Sequence, residues 1–225
     1  MATWIVHMRI AEKLLEKYKF DKESFVIGNI APDSGVPNED WTRFNPPKEI
    51  THFIKEREFE FEKFYLTYIN TNLLNRDKLK LSFLFGYYVH LITDSEWNKM
   101  FQKQYLDSPE YAKNLEENPQ FVWEIKKDWY GLDYKYVKDN PENIFNDCFM
   151  LIKDVPNYLE YFPEGAFIKQ VQYIQRFYTE KNDWVNTTFM HFTQEQMDEF
   201  INKTSEYIID ILSMTHELVQ LGEIG

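Results

Sequence analysis

The sequence is short of the residues that build disulfide frameworks, β-turns and nucleic-acid surfaces. It has one cysteine, Cys148, which rules out an internal disulfide framework, a cysteine-rich zinc finger and an iron–sulfur site, and fits a reducing, cytoplasmic setting. Seven glycines and nine prolines in 225 residues leave few turn residues for a many-stranded β fold. Positive charge is scarce, with 25 Lys and Arg against 37 Asp and Glu for a net charge of −12. That is the wrong sign for a stable nucleic-acid partner. The longest apolar run, Leu81 to Ile92, is interrupted by Ser82 and His90 and is far shorter than the ~20 residues that span a bilayer. The start, Met1-Ala2-Thr3-Trp4-Ile5-Val6-His7, carries no basic region followed by an apolar stretch, so neither a secretory signal nor a transmembrane segment is expected.

What the sequence does have is aromatic mass, 18% of all residues, and helical periodicity. The expected fold is all-α, a single domain over 1–225 built around one buried helix. Trp4, His7, Met8, Ala11, Leu14, Leu15 and Tyr18 recur at helical spacing behind Thr3 as N-cap, which predicts a helix over 4–18. A short helix from Asp21 runs into Gly28-Asn29-Ile30-Ala31-Pro32-Asp33, where Pro32 disfavours helix at Ala31. A loop with Gly35, Pro37, Pro46 and Pro47 follows, and then Lys48 to Leu74 reads as helix. Residues 77–104 are apolar on every side of their middle, the pattern of a helix buried among others. Prolines 109, 119, 141, 156 and 163 separate further helices at about 110–117, 120–138, 142–153 and 164–180. Thr193 and Gln196 form a capping box for a last helix from 194 to about 220.

Chemistry concentrates in Gly86-Tyr87-Tyr88-Val89-His90-Leu91-Ile92-Thr93-Asp94. Positions four apart share a helix face, so His90 and Asp94 point the same way from the central helix. A carboxylate buried there without a partner costs several kcal/mol, so Asp94 requires a cation, donors or a metal. His7 on an apolar face, His52 after the proline-rich loop and Asp33 beside Pro32 supply further nitrogen and oxygen ligands of the zinc type. Asp128 and Asp133 read as polar residues at a helix end, and His216 as a solvated residue of the last helix.

Taken together, Trp4-x-x-His7, Gly28-Asn29-Ile30-Ala31-Pro32-Asp33, Thr51-His52-Phe53 and the His90-x-x-x-Asp94 helix resemble the zinc-dependent phospholipase C family. That family is all-helical and shares its metal-site plan with fungal single-strand nucleases. The resemblance covers roughly residues 1–100. It implies that Asp33, His52, His90 and Asp94 hold one zinc, that His7 and bridging Asp94 help hold another, and that one to three ions bind in all. Asp33 is then a ligand or the general base. Two departures stand out. The secreted enzymes ligate zinc through the amino group of an N-terminal Trp, whereas Trp4 has three residues before it. They also place a His shortly after the central Asp, and none follows Asp94 closely; His191 and Glu195, with His-x-x-x-Glu spacing, are the candidates for that second site.

Other chemistries lack their residues. No His is followed by Asp, only Glu49-Ile50-Thr51-His52 matches a Glu-x-x-His ligand pair, and there is no phosphate-binding glycine loop or serine-hydrolase elbow. The resemblance therefore implies a zinc-dependent phosphoester hydrolase acting on a small phosphoester or a phospholipid head group. The alternative is a non-catalytic scaffold or binding protein with a structural or degenerate zinc site, which the two departures favour.

Overall fold

Asp77 accepts a hydrogen bond from the Lys80 amide and so opens the helix at the centre of the molecule, Lys78–Phe101. A computed structural model describes residues 1–40, 42–73, 77–180, 184–185 and 188–214. In chain order its helices are α1 (Trp4–Lys17), α2 (Lys22–Gly28), α3 (Lys48–Thr51), α4 (Phe61–Phe64), α5 (Lys78–Phe101), α6 (Pro109–Glu117), α7 (Phe121–Asp139), α8 (Ile144–Asp147), α9 (Ala166–Thr179) and α10 (Gln194–Met214). The strands described are two short antiparallel pairs, β1 (Val36–Pro37) with β2 (Phe44–Asn45) and β3 (Ile54–Lys55) with β4 (Glu58–Phe59). The fold is all-α. Every residue of α5 from Leu81 to Ser95 is buried, and one apolar core runs from Ala2 to Leu212 around it. No helix among the described residues is long and apolar enough to cross a membrane.

The expected helix over Lys48–Leu74 is broken. After four residues of α3 the chain turns at Phe53, whose φ of 52° is left-handed, and forms the β3–β4 hairpin through Glu56 and Arg57, at φ of 51° and 73°. Helix resumes as α4 and continues as a π-helical turn over Tyr65–Ile69. Tight hairpins favour Asn-Gly or Asp-Gly at such positions; with Glu-Arg in their place, the turn had no sequence signal. Packing holds it instead, with the Phe53 ring 5.3 Å from Phe64 and 6.2 Å from Tyr68. The expected helix at 142–153 is likewise two short turns, α8 and Phe149–Leu151. Leu74 and His216 lie outside the described residues. The capping box is formed: the Thr193 amide donates to Gln196 Oε1 at 2.8 Å and the Gln196 amide to Thr193 Oγ1 at 3.3 Å.

α2 lies against α5 with two glycines at the crossing. A Cβ on Gly28 would stand 2.0 Å from Phe83 O, and one on Gly86 would stand 2.1 Å from Phe25 O and 2.8 Å from the Asn29 amide nitrogen. Both obstructions are backbone, so no rotamer change relieves them. The contact delivers Asn29, at the end of α2, to the turn of α5 that carries His90.

Asp128 and Asp133 are not at a helix end. They sit inside α7 and are buried. Asp128 Oδ2 accepts the amides of His191 and Phe192 at 2.6 and 3.1 Å, fixing the chain before α10. Asp133 accepts from Thr3 Oγ1 at 2.8 Å and Tyr178 Oη at 2.6 Å, joining α7 to the start of α1 and to α9. Thr3 stands at the N-cap of α1, but its hydroxyl is engaged with Asp133 and not with the helix. Burial outweighs these two donors and pushes the Asp133 carboxyl up to about 7.

Gly86→Ala is expected to lower stability by at least ~1–3 kcal/mol in denaturant unfolding, despite the ~1 kcal/mol that Ala gains over Gly in a helix, because two backbones must separate. An unchanged midpoint would show that the crossing is loose. Asp133 retains in the folded state a proton that the unfolded chain loses above pH ~4. Its contribution to stability therefore falls as pH rises from ~4 to ~7, by up to ~1.4 kcal/mol per pH unit. Asp133→Asn should remove that slope, read as the difference in unfolding free energy between variant and wild type across the interval.

Candidate metal centre

Five side chains meet beside the middle of α5, brought there by separate local structures. His7 lies on the buried face of α1. Asp33 closes a 3-10 turn, Ala31–Asp33, with Pro32 inside it. His52 is the C-cap of α3, whose own N-cap is Pro47. His90 and Asp94 come from successive turns of α5, as their spacing predicts. His7, His52, His90 and Asp94 are fully buried, while Asp33 keeps 11% of its side chain exposed.

Asp94 is the hub. Its Oδ1 lies 3.4 Å from His7 Nε2 and accepts the Ala2 amide at 2.8 Å. Its Oδ2 lies 3.4 Å from His90 Nε2 and 3.6 Å from His52 Nε2. His52 Nε2 is also 3.3 Å from Asp33 Oδ1 and 3.3 Å from His90 Nε2. The ligand atoms of His7, His90 and Asp94 lie within 4.8 Å of one another, as do those of Asp33, His52 and His90. These two groups could each hold a metal ion. His90 belongs to both, but a single Nε2 lone pair serves one ion, so the two groups cannot both be completed through it.

Surrounding hydrogen bonds aim the nitrogens inward. His90 Nδ1 lies 2.8 Å from the Asn29 carbonyl. A carbonyl only accepts, so Nδ1 carries the proton and Nε2 faces the cluster with its lone pair. His52 Nδ1 is occupied by Thr51 Oγ1 at 2.9 Å, and the Thr51 carbonyl is held by the Tyr87 hydroxyl, which accepts from Tyr161 Oη at 3.1 Å. The Asn29 side chain donates to the His7 carbonyl at 2.6 Å. Asp33 Oδ2 accepts the Trp4 indole N–H at 2.8 Å. The His7 and His90 rings stack at 3.9 Å with 2° between their planes.

The interior also leaves polar atoms unsatisfied. His7 Nδ1, His7 Nε2 and Asp94 Oδ2 are buried without an aligned hydrogen-bond partner among the described residues, and each such atom costs about 1–3 kcal/mol. Neutral His7 has one N–H and one lone pair, and a cation at His7 Nε2 and the Asp94 carboxylate would satisfy that lone pair and the acidic oxygens, so the donor set fits a metal. Burial, reinforced by the nearby His90, pushes the His7 imidazole down to about 4. Burial opposes ionisation of Asp94, yet His90 and His7 hold it well below the usual carboxylate range. Asp33 is held low against the same burial by His52, His90 and Lys48. Burial lowers His90, and the Asp94 carboxylate more than reverses this, leaving it raised.

His191 and Glu195 are not brought to this centre. His191 is partly exposed, 3.9 Å from Glu124 Oε2 and edge-on to Phe121 at 5.1 Å. Glu195 is exposed on the first turn of α10, where an acid complements the helix dipole. Neither joins a group of metal-ligating atoms among the described residues. Two contributors escaped the sequence reading, the Ala2 amide and the Asn29 carbonyl, while Trp4, singled out there through its motif, reaches the centre through its indole N–H on Asp33. Main-chain groups carry no sequence signal. No family model, curated protein or solved structure matches this chain.

His90→Ala and Asp94→Ala are each expected to abolish high-affinity metal binding, whereas His191→Ala should leave it intact. A divalent cation that the centre binds should stabilise the wild type by about 2.7 kcal/mol at a hundredfold excess over Kd and leave both centre variants unmoved. Metal analysis at full stoichiometry in His90→Ala or Asp94→Ala would place the ligands elsewhere.

Proposed function

We propose that the chain is a zinc-dependent phosphoester hydrolase of the kind its resemblance to the zinc-dependent phospholipase C family implies. The observation that carries this reading is the split of Asp94, whose two oxygens address different imidazoles, His7 on one side and His90 with His52 on the other. That is the disposition of a carboxylate bridging two cations. Asp33, His52, His90 and Asp94 Oδ2 would hold one zinc, and His7 with Asp94 Oδ1 would contribute to another. Zinc bound there supplies Lewis acidity toward a phosphoryl oxygen and lowers the pKa of a water to ~7.

The chain's own groups divide the remaining work. Asp33 is the quartet member that reaches the surface cleft, so it meets substrate and water first. Its depressed pKa suits a ligand better than a general base, which works best with a pKa near the operating pH. The Trp4 indole fixes the carboxylate through Oδ2 and leaves Oδ1 toward His52. Burial of the other four side chains excludes bulk water from the inner ligands. The substrate is a small phosphoester or a phospholipid head group, as the resemblance implies.

One observation favours the scaffold reading. The Ala2 amide already occupies Asp94 Oδ1, and His191 and Glu195 lie away from the centre, so the outer site has few ligands. A closed structural zinc has no open position for chemistry. Metal content and turnover separate the two. The hydrolase is expected to bind two or more equivalents of zinc and to cleave a nitrophenyl phosphate mono- or diester, with activity lost to a chelator and restored by zinc. One tightly held equivalent and no turnover would establish the scaffold, and turnover that survives the chelator would sink both readings.

A further inference from the structure

Beside Asp33 and Trp4 the surface opens into a cleft of about 330 Å³. α9 contributes Lys169, Tyr173 and Arg176 to its lining. These positions are four and three apart, so one face of that helix presents an aromatic ring flanked by two cations. Lys48 at the start of α3 and Phe44 of β2 line it as well, with the Lys48 ammonium 5.5 Å from the centre of the Phe44 ring. Trp4 meets Tyr173 edge-on at 5.8 Å and gives the cleft an apolar, aromatic surface.

The charge of this lining runs against the charge of the chain. Three cations and one carboxylate line the cleft, in a protein whose net charge is −12. Carboxylates outnumber cations in the sequence, and Arg9, Lys63, Lys99, Lys113, Lys135 and Lys203 all have an acidic partner. Lys48, Lys169 and Arg176, like most cations of the described residues, form no ion pair, and Lys48 acts on the Asp33 carboxylate from a longer distance. Cations left together without acids at the mouth of a concave site attract an anion from solution. They also repel a quaternary ammonium group, which binds aromatic surfaces free of competing positive charge.

We propose that the cleft is an anion subsite, and that its ligand is a phosphoester bearing a second phosphate, with the second phosphate on Lys48, Lys169 and Arg176 and the carbon skeleton against Trp4 and Tyr173. The placement of the reacting phosphoester beside Asp33 rests on the hydrolase reading; the subsite itself does not. Arg176 can grip a phosphate in bidentate fashion, and the two lysines act as point charges. Soluble bisphosphates and the head groups of polyphosphorylated lipids share this chemistry.

Calorimetry on the metal-free full chain tests the subsite with glucose 1,6-bisphosphate and glucose 6-phosphate. The bisphosphate is expected to bind about tenfold more tightly or better, with the advantage shrinking as salt is raised. In Lys169→Gln/Arg176→Gln, whose substitutions fall on exposed residues, the two sugars should bind nearly alike. Equal affinities in the wild type, or an undiminished ratio in a folded double variant, overturn the subsite. Neither metal nor turnover enters this measurement. Discriminating binding here, together with no turnover of the nitrophenyl esters by the zinc-loaded protein, therefore supports the subsite and overturns the hydrolase reading, and zinc-dependent turnover without discrimination does the reverse. Sedimentation with phosphatidylcholine vesicles, plain or doped with phosphatidylinositol 4,5-bisphosphate, then identifies the source. Retention on the doped vesicles alone, lost in the double variant, supports a lipid head group, and sugar binding without retention supports a soluble bisphosphate.

Discussion

An ionised carboxylate with no solvent exposure, Asp94 in the middle of α5, is the constraint on which the rest of this molecule depends. Removing such a group from water costs several kcal/mol, recovered only through close, well-placed partners. Those partners come from separate parts of the chain: the Ala2 amide before α1, His7 on α1, His52 at the end of α3, and His90 one turn back on α5. Bringing them together determines where the N-terminal segment and the proline-rich loop lie. The glycine crossing of α2 and α5 belongs to the same requirement, because it lets the Asn29 carbonyl reach His90 and orient its ring.

Two further buried carboxylates, Asp133 and Asp128 on α7, organise other junctions. Asp133 joins α7 to Thr3 and Tyr178, and Asp128 holds the main chain ahead of α10. The segment carrying Ala2 and Thr3 is thus pinned twice, to Asp94 through an amide and to Asp133 through a hydroxyl. In a helical protein with few strands to register its parts, buried acids and their donors serve as the joints, and the aromatic core fills the space between them.

Asp33 marks the boundary between a closed interior and an open cleft. Its partners on one side are buried imidazoles; on the other it borders a lining of lysines, an arginine and aromatic rings. Asp33, whose charge Lys48 and the histidines sustain, is the member of the cluster that lines the cleft. Inner cluster and outer cleft have opposite chemical character, one a set of lone pairs seeking a cation and the other a set of cations seeking an anion.

Much of this was legible in the residues themselves. Periodicity and capping predict α1, α5, α6, α7, α9 and the start of α10 within a few residues, because those helices are long enough for the burial pattern to repeat. The four-residue spacing put His90 and Asp94 on one face for the same geometric reason, and the resemblance implied that His7, Asp33 and His52 gather around them. The helix read through 48–74 failed because left-handed φ at Phe53, Glu56 and Arg57 is a product of packing, at residues with no local preference for it. Asp128 and Asp133 were misjudged because a carboxylate on a helix looks the same in sequence whether it meets water or amides and hydroxyls from distant parts of the chain. The sequence alone determined the all-helical class and the shared face of His90 and Asp94, which depend on neighbours within two turns. Tertiary structure alone decided that the Ala2 amide and Asn29 carbonyl complete the centre and that Lys48 shares a cleft with Lys169 and Arg176, since main-chain donors and long-range charge proximity exist only once the chain has folded.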